Sequence, residues 1–258
     1  MSRRRAVEAS ALGWLTARPI AHRGLHDAVH GIIENSPSAF AAAIRHDYAI
    51  ECDLQVTADG EAVVFHDDGL DRLTPESGPV ADTMARELRK IPLKGSRDHI
   101  ATLTELLDQI AGQTPLVIEM KTHWDGDLRL ARRAVEVLGG YDGHFALMSY
   151  DPDQIEQVRE LAPAMARGIV ADRVSDASWS VLDLARRLDL RNMGHLPRTR
   201  PHFLSYDVAG LPSPASRLFR EAGLPVICWT VRDEATRTRA LSWCDQITFE
   251  GFFPDGQD

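Results

Sequence analysis

Short apolar runs alternate with amphipathic segments along the chain. The runs at 20–22, 50–56, 116–121, 145–149, 167–170, 203–206, 225–229 and 246–249 are rich in β-branched and aliphatic residues, the pattern of buried strands. Helix-start signals lie between them. Ser36-Pro37 is an N-cap followed by proline at the first helical position, and Asp151-Pro152 and Ser213-Pro214 open two further helices. Thr102-x-x-Glu105 is a capping box ahead of Leu106, Leu107 and Ile110. Other helices are expected at about 128–138, closed by Gly139-Gly140, at 177–188, and from Asp233. Eight strands alternating with helices in 258 residues predict a (β/α)8 barrel, an α/β fold forming a single domain over 1–258. An open doubly wound sheet is the rival, but eight repeats at this length favour closure. One stretch blurs the pattern: roughly 68–100, with Pro75, Gly78, Pro79, Pro92 and Gly95, reads as a small insertion of loops and one short helix.

In such a barrel, chemistry belongs at the C-terminal ends of strands, where His22, Asp53, Glu119, Lys121, Asp207 and Trp229 stand. Asp59-Gly60 between two apolar runs is a strong two-residue hairpin signal. With those two as turn residues, Val56 faces Val63 and Asp53 faces His66. Side chains alternate along a strand, so Glu51, Asp53 and His66 are expected to converge. Two adjacent carboxylates repel, and a divalent cation or a shared proton relieves them. A solvent-facing sheet edge with ordinary charges is the alternative. Glu119 and Lys121 also share a face: Glu119 pairs with Lys121, or joins Glu51 and Asp53 around a metal. Three carboxylates without cysteine suit magnesium or calcium rather than zinc. His22 and His66 can act as general base and general acid. The other histidines, His26, His30, His46, His99, His123, His144, His195 and His202, read as structural. Arg23 and Lys121 add cations to an acidic mouth, which suits phosphate. Metal, paired histidines and cations together point to cleavage of a phosphodiester.

Composition narrows this further. A net charge of −9 argues against general nucleic-acid binding. Cys52, Cys228 and Cys244 show no metal-ligand spacing, and so sparse a count reads as a reduced, cytoplasmic chain. Arg3-Arg4-Arg5 precedes a partly apolar segment, but Glu8 interrupts it, so no secretory leader is expected. No run approaches the length of a membrane span.

The motifs His22-Arg23-Gly24, Glu34-Asn35, Glu51-x-Asp53, Thr57-x-Asp59-Gly60, His66-Asp67, Leu70-x-Arg72-x-Thr74 and Glu119-x-Lys121 closely resemble the glycerophosphodiester phosphodiesterases. The resemblance extends to Trp229-Thr230-Val231 on the seventh predicted strand. It implies a barrel with an insertion after His66-Asp67, and a divalent metal, Mg2+ or Ca2+, held by Glu51, Asp53 and Glu119. It further implies His22 and His66 as the acid–base pair, with Arg23, Lys121, Asn35 and Trp229 at the substrate. The implied reaction attacks phosphorus with a glycerol hydroxyl, forms a cyclic phosphate, and releases glycerol 3-phosphate and an alcohol such as choline or ethanolamine. Lysophospholipids are an alternative substrate class, and a metal-independent glycoside hydrolase and a catalytically silent binding barrel are alternative readings. One departure stands out: Thr248-Phe249-Glu250-Gly251 replaces the Thr-Asp-x-Pro common at the last strand of the family. Tyr206, Phe249 and Phe252 are read as packing rather than as a pocket for the alcohol.

Overall fold

The protein is described from a computed structural model covering residues 12–175, 177–254 and 256. Arg3-Arg4-Arg5 and Glu8 lie outside the described residues. Nine strands occur in order: β1 (Ile20–Ala21), β2 (Ala49–Val56), β3 (Ala62–Val64), β4 (Leu116–Met120), β5 (Phe145–Ser149), β6 (Arg167–Ala171), β7 (Phe203–Asp207), β8 (Val226–Val231) and β9 (Gln246–Phe249). All but β3 pair in parallel around a closed ring, with Ile20 of β1 opposite both Ala49 of β2 and Thr248 of β9. Eight strands in a closed parallel ring is the expected (β/α)8 barrel, with β3 outside it.

The alternation of side chains sorts the core into two layers. Ile50, Cys52, Leu54 and Val56 of β2 point outward and pack with helix residues such as Phe40, Leu106 and Ala134. Ile20, Ala49, Val117, Ala146, Met148, Val170, Phe203 and Ile227 form an inner cluster, which Leu12 and Leu15 at the short N-terminal helix (Gly13–Thr16) join. Following the inward face towards the C-terminal end changes its chemistry within two residues: Ile20 gives way to His22, Ala49 to Glu51 and Asp53, and Val117 to Glu119. An apolar floor thus carries a polar mouth.

The capping signals behave as read. Ser36, Asp151, Ser213 and Asp233 each accept a backbone N–H at the start of a helix, and the Thr102–Glu105 capping box is reciprocal. Two expectations change. The helix expected at 177–188 is a 3-10 turn (Ala177–Val181) followed by a separate helix (Leu184–Arg191), because Asp183 caps a new start by accepting from the Arg186 N–H. The hairpin register also shifts: β2 and β3 pair Leu54 with Val64, Gln55 with Val63 and Val56 with Ala62. Thr57 N–H donates to the Glu61 carbonyl at 3.0 Å, and Gly60 sits at φ 80°, so the loop has three residues closed by a left-handed glycine. Asp53 therefore lies opposite Phe65, whose N–H donates to the Asp53 carbonyl, and not opposite His66.

The insertion packs on a small second core, in which its Leu70, Val80, Ala85, Leu88, Leu93 and Ile100 meet Ile33, Val63 and Phe65 from outside it, and it has one short α-helix (Ala85–Leu88) as expected.

Candidate active site

β1 ends in a tight turn that sets two residues at the mouth. Arg23 and Gly24 have φ of 56° and 80°, and a Cβ on Gly24 would lie 2.8 Å from the Ala39 Cβ. Glycine is required there by both conformation and space. The turn brings the start of the Pro37–Arg45 helix against the barrel and aims the Arg23 N–H at Glu51 Oε2, 3.0 Å away.

Glu51, Asp53 and Glu119 are buried, with carboxylate oxygens within 4.8 Å of one another. At an effective dielectric near 20, each such pair repels by about 3.5 kcal/mol. Lys121 Nζ lies 3.0 Å from both Asp53 Oδ1 and Glu119 Oε1, and Arg23 Nε lies 3.3 Å from Asp53 Oδ2. These cations settle unequally on the cluster. Burial raises Asp53, but Lys121, His66, Arg23 and His22 outweigh it and hold the carboxyl below its ordinary range. Burial pushes Glu51 well above its ordinary value, and Asp53 and Glu119 add to the rise. Burial and the two neighbouring carboxylates thus oppose charge on Glu51, and the site is short of positive charge. Three convergent oxygen donors with that deficit fit a hard divalent cation, so Glu51, Asp53 and Glu119 could hold one.

The two histidines are held alike. His22 Nδ1 lies 2.6 Å from Glu250 Oε2, and Arg232 Nε donates to the other oxygen of Glu250 at 2.7 Å. The bond to His22 keeps the Glu250 carboxyl far below its ordinary value, so it can only accept, and the Nδ1 proton is fixed. The lone pair is then on Nε2, which faces Glu51 Oε2 at 3.9 Å. Burial lowers the pKa of His22, which favours the neutral ring. His66 Nδ1 meets Asp67 Oδ1 at 2.7 Å, and Arg72 Nε donates to Asp67 Oδ2 at 2.6 Å. Arg72 also donates twice to Glu34, each at 2.8 Å, and Arg23 donates to the same carboxylate at 2.6 Å. Burial raises Glu34, yet the bonds from Arg72 and Arg23 bring it down to about 2. One ionic chain thus runs from His66 through Asp67, Arg72, Glu34 and Arg23 to Asp53.

The convergence expected of Glu51, Asp53 and His66 is found, by a different route. His66 lies beyond β3 and reaches the mouth from a bend rather than from a paired strand position. His22, Arg23, Glu51, His66, Glu119, Lys121 and Trp229 line one cavity of about 280 Å³. Ser205 and Thr248 line it too, and four buried polar atoms there, Arg23 Nε, Ser205 Oγ, Trp229 Nε1 and Thr248 Oγ1, lack a hydrogen-bond partner among the described residues. Asn35, expected at the substrate, is buried beneath Asp53: its amide donates to Asp53 Oδ2 at 2.8 Å, and its carbonyl accepts the Asp53 N–H at 3.1 Å. Asp207 caps the 3-10 turn that follows β7. Tyr206, Phe249 and Phe252 pack in or against the outer core layer, in keeping with the packing reading.

Sequence reasoning missed Glu250 as a site residue, and grouped His26 with the structural histidines although its Nε2 is 3.7 Å from Glu250 Oε2. The signal for Glu250 was parity: Ile247 and Phe249 face the outer layer, so Thr248 and Glu250 face the mouth.

A sequence model of the glycerophosphoryl diester phosphodiesterase family matches residues 22–257. The chain belongs to this family. Its activity is therefore that of a phosphodiesterase acting on glycerophosphodiesters. A glycerophosphodiester phosphodiesterase of Bacillus subtilis is 26% identical over 247 residues, 87% of this chain and 80% of the relative. One from Caldanaerobacter subterraneus subsp. tengcongensis is 29% identical over 161 residues, 58% of this chain and 65% of the relative. An Oleispira antarctica phosphodiesterase, solved in complex with the product sn-glycerol-3-phosphate, superposes with a TM-score of 0.75 at 22% identity, covering 92% of this chain and 94% of that one. The Thermotoga maritima glycerophosphodiester phosphodiesterase gives 0.68 at 20% identity, covering 89% and 92%. Both structures share the family's barrel. The glycoside-hydrolase and silent-barrel alternatives are set aside by the family match.

Proposed function

We propose that this family member hydrolyses glycerophosphodiesters such as glycerophosphocholine and glycerophosphoethanolamine to glycerol 3-phosphate and the free alcohol. The observation that carries the reading is the meeting, in one cavity, of two carboxylate-oriented histidines, Glu51 and Glu119 with buried Asp53 beside them, and two cations. Glu51, Asp53 and Glu119 would hold Mg2+ or Ca2+, which would supply Lewis-acid stabilisation of charge on phosphate and hydroxyl oxygens.

The chain's own groups account for the proton movements. His22 Nε2, neutral and aimed inward, accepts the proton of the glycerol hydroxyl next to the phosphoryl group. That oxygen bonds to phosphorus, the bond from phosphorus to the alcohol oxygen breaks, and His66 gives its proton to the departing alcohol. Water then opens the cyclic phosphate: His66 takes a proton from the water, and His22 returns one to the glycerol oxygen. Arg23 and Lys121 neutralise the phosphoryl oxygens, and Arg23 Nε, ion-paired with Asp53 but making no hydrogen bond among the described residues, is a ready donor to one of them. Ser205 Oγ, Trp229 Nε1 and Thr248 Oγ1, also making none there, suit glycerol hydroxyls. Held against the phosphoryl group, the attacking hydroxyl acts at high effective molarity.

The test is release of glycerol 3-phosphate from both diesters, with EDTA and with Mg2+ or Ca2+ restored. We expect loss on chelation and recovery on addition of one of the ions. His22→Ala should lose turnover while keeping metal binding by calorimetry, and Glu51→Ala should lose both. Full activity in His22→Ala would overturn the acid–base assignment.

A further inference from the structure

The catalytic cavity opens on one side into an outer lobe of about 460 Å³, and His66, Glu119, Lys121 and Tyr150 line both. The two lobes differ in chemistry. Arg23 and the unpaired hydroxyl groups belong to the inner one. The outer lobe has Trp124, Tyr150 and Trp179 on one side, with Asp67 and Asp68 among its other lining residues.

The rings do not stack. Tyr150 and Trp179 have centroids 5.3 Å apart at 65°, and Trp124 and Trp179 lie 5.9 Å apart at 61°. Tyr150 continues the series to Trp229 in the inner lobe, 6.0 Å away at 83°. Rings set edge to face in succession form a concave corner, not a flat plate. Trp179 is anchored by Nε1 donating to Asp172 Oδ2 at 3.1 Å. Trp124 is held at φ 60°, a conformation unfavourable for so large a side chain, with its N–H bonded to Thr122 Oγ1 at 3.0 Å. The Trp124 ring packs edge to face on Trp179, and the Arg186 Cζ lies 5.8 Å from its centroid, so a ligand cation meets this ring alongside a resident guanidinium. Asp68 adds a carboxylate whose side chain is 74% exposed, with His123 Nδ1 3.6 Å from its Oδ1.

Resting on the diesterase reading, we propose that the outer lobe is the subsite for the leaving alcohol and takes a cationic head group, a quaternary ammonium in preference to a neutral polyol. Aromatic faces attract such a cation without offering it hydrogen bonds, which it cannot donate in any case. Asp68, the more exposed of the two carboxylates, adds long-range attraction, while Asp67 is already paired with Arg72. His66, at the boundary of the lobes, stands where the bond to the alcohol breaks, and His22, in the inner lobe, stands with the glycerol.

The experiment compares kcat/KM of the metal-loaded protein for glycerophosphocholine and glycerophosphoglycerol, in wild type, Trp124→Leu, Trp124→Phe and Asp68→Asn. A parallel titration follows quenching of tryptophan fluorescence by tetramethylammonium. We expect the choline diester to be preferred about tenfold. Trp124→Leu should collapse that ratio towards one, Trp124→Phe should retain most of it, and Asp68→Asn should lower it with a weaker salt dependence. Equal turnover of both diesters by wild type, or an unchanged ratio in Trp124→Leu, overturns the subsite and leaves the diesterase standing. Failure to turn over either diester overturns the diesterase reading. In that event, quenching by tetramethylammonium that Trp124→Leu abolishes would keep the cation site, and its absence would remove both.

Discussion

At the scale of single residues, the proposed acid–base chemistry rests on carboxylates that hold the two histidines. Glu250 fixes the tautomer of His22 while Arg232 fixes Glu250. Glu250→Gln should therefore lower kcat about 10- to 100-fold with little change in KM, and Glu250→Asp should recover part of the loss. A KM effect without a kcat effect would instead place Glu250 at the substrate. The residues that the sequence made legible are those set by parity. His22 follows Ile20, Glu51 and Asp53 follow Ala49, and Glu119 and Lys121 follow Val117, each two positions along an inward face. Glu250 obeys the same rule and was hidden by the family's different sequence at that point. The bonds of Asn35 were not legible for another reason: its partner is a carboxylate distant in sequence, and no local pattern reveals where a buried amide is satisfied.

At the scale of elements, turns decide where the site residues land. Two glycines separate conformation from crowding. Gly60 sits at φ 80° with open space where a methyl group would stand, whereas Gly24 has the same φ and a neighbour at 2.8 Å. Gly60→Ala should cost about 1–2 kcal/mol from backbone strain alone. Gly24→Ala should cost about 2–4 kcal/mol, since overpacking adds to that strain. Urea unfolding of the two variants measures the difference, and equal losses would refute the crowding argument. Helix starts were readable because capping is local chemistry. The hairpin register was not, because Asp-Gly serves both a two-residue turn and a three-residue loop, and the flanking apolar runs tolerate either. The difference of one residue flips every side chain of β3, yet the site survives because His66 lies past the pairing.

For the molecule as a whole, ionisation couples the site and the distant fold to solution conditions. A divalent ion at a hundredfold over its Kd should stabilise the native protein by about 2.7 kcal/mol. Thermal unfolding with and without metal should show the shift in wild type and not in Glu51→Gln. Without metal, Glu51→Gln should be at least as stable as wild type, because it removes a buried carboxylate that its neighbours oppose. Away from the mouth, burial lowers His195 to about 4, and its ring stays neutral in the fold. The unfolded chain restores a value near 6.5. Stability from this source is complete above pH 6.5 and is lost as pH falls from there towards 4, by up to about 3 kcal/mol. His195→Gln should flatten urea midpoints between pH 7 and 5, and an unchanged slope would refute the assignment.

The insertion meets the barrel at a small apolar core that the two share. Leu70, Val80, Ala85, Leu88, Leu93 and Ile100 pack on Val63 and Phe65 of the hairpin and on Ile33, and Arg72 links the segment to the candidate site through Asp67 and Glu34. A chimera that takes a relative's insertion but keeps Arg72 should retain the site's chemistry and inherit a new rim, so that substrate range could diversify without the barrel being redesigned.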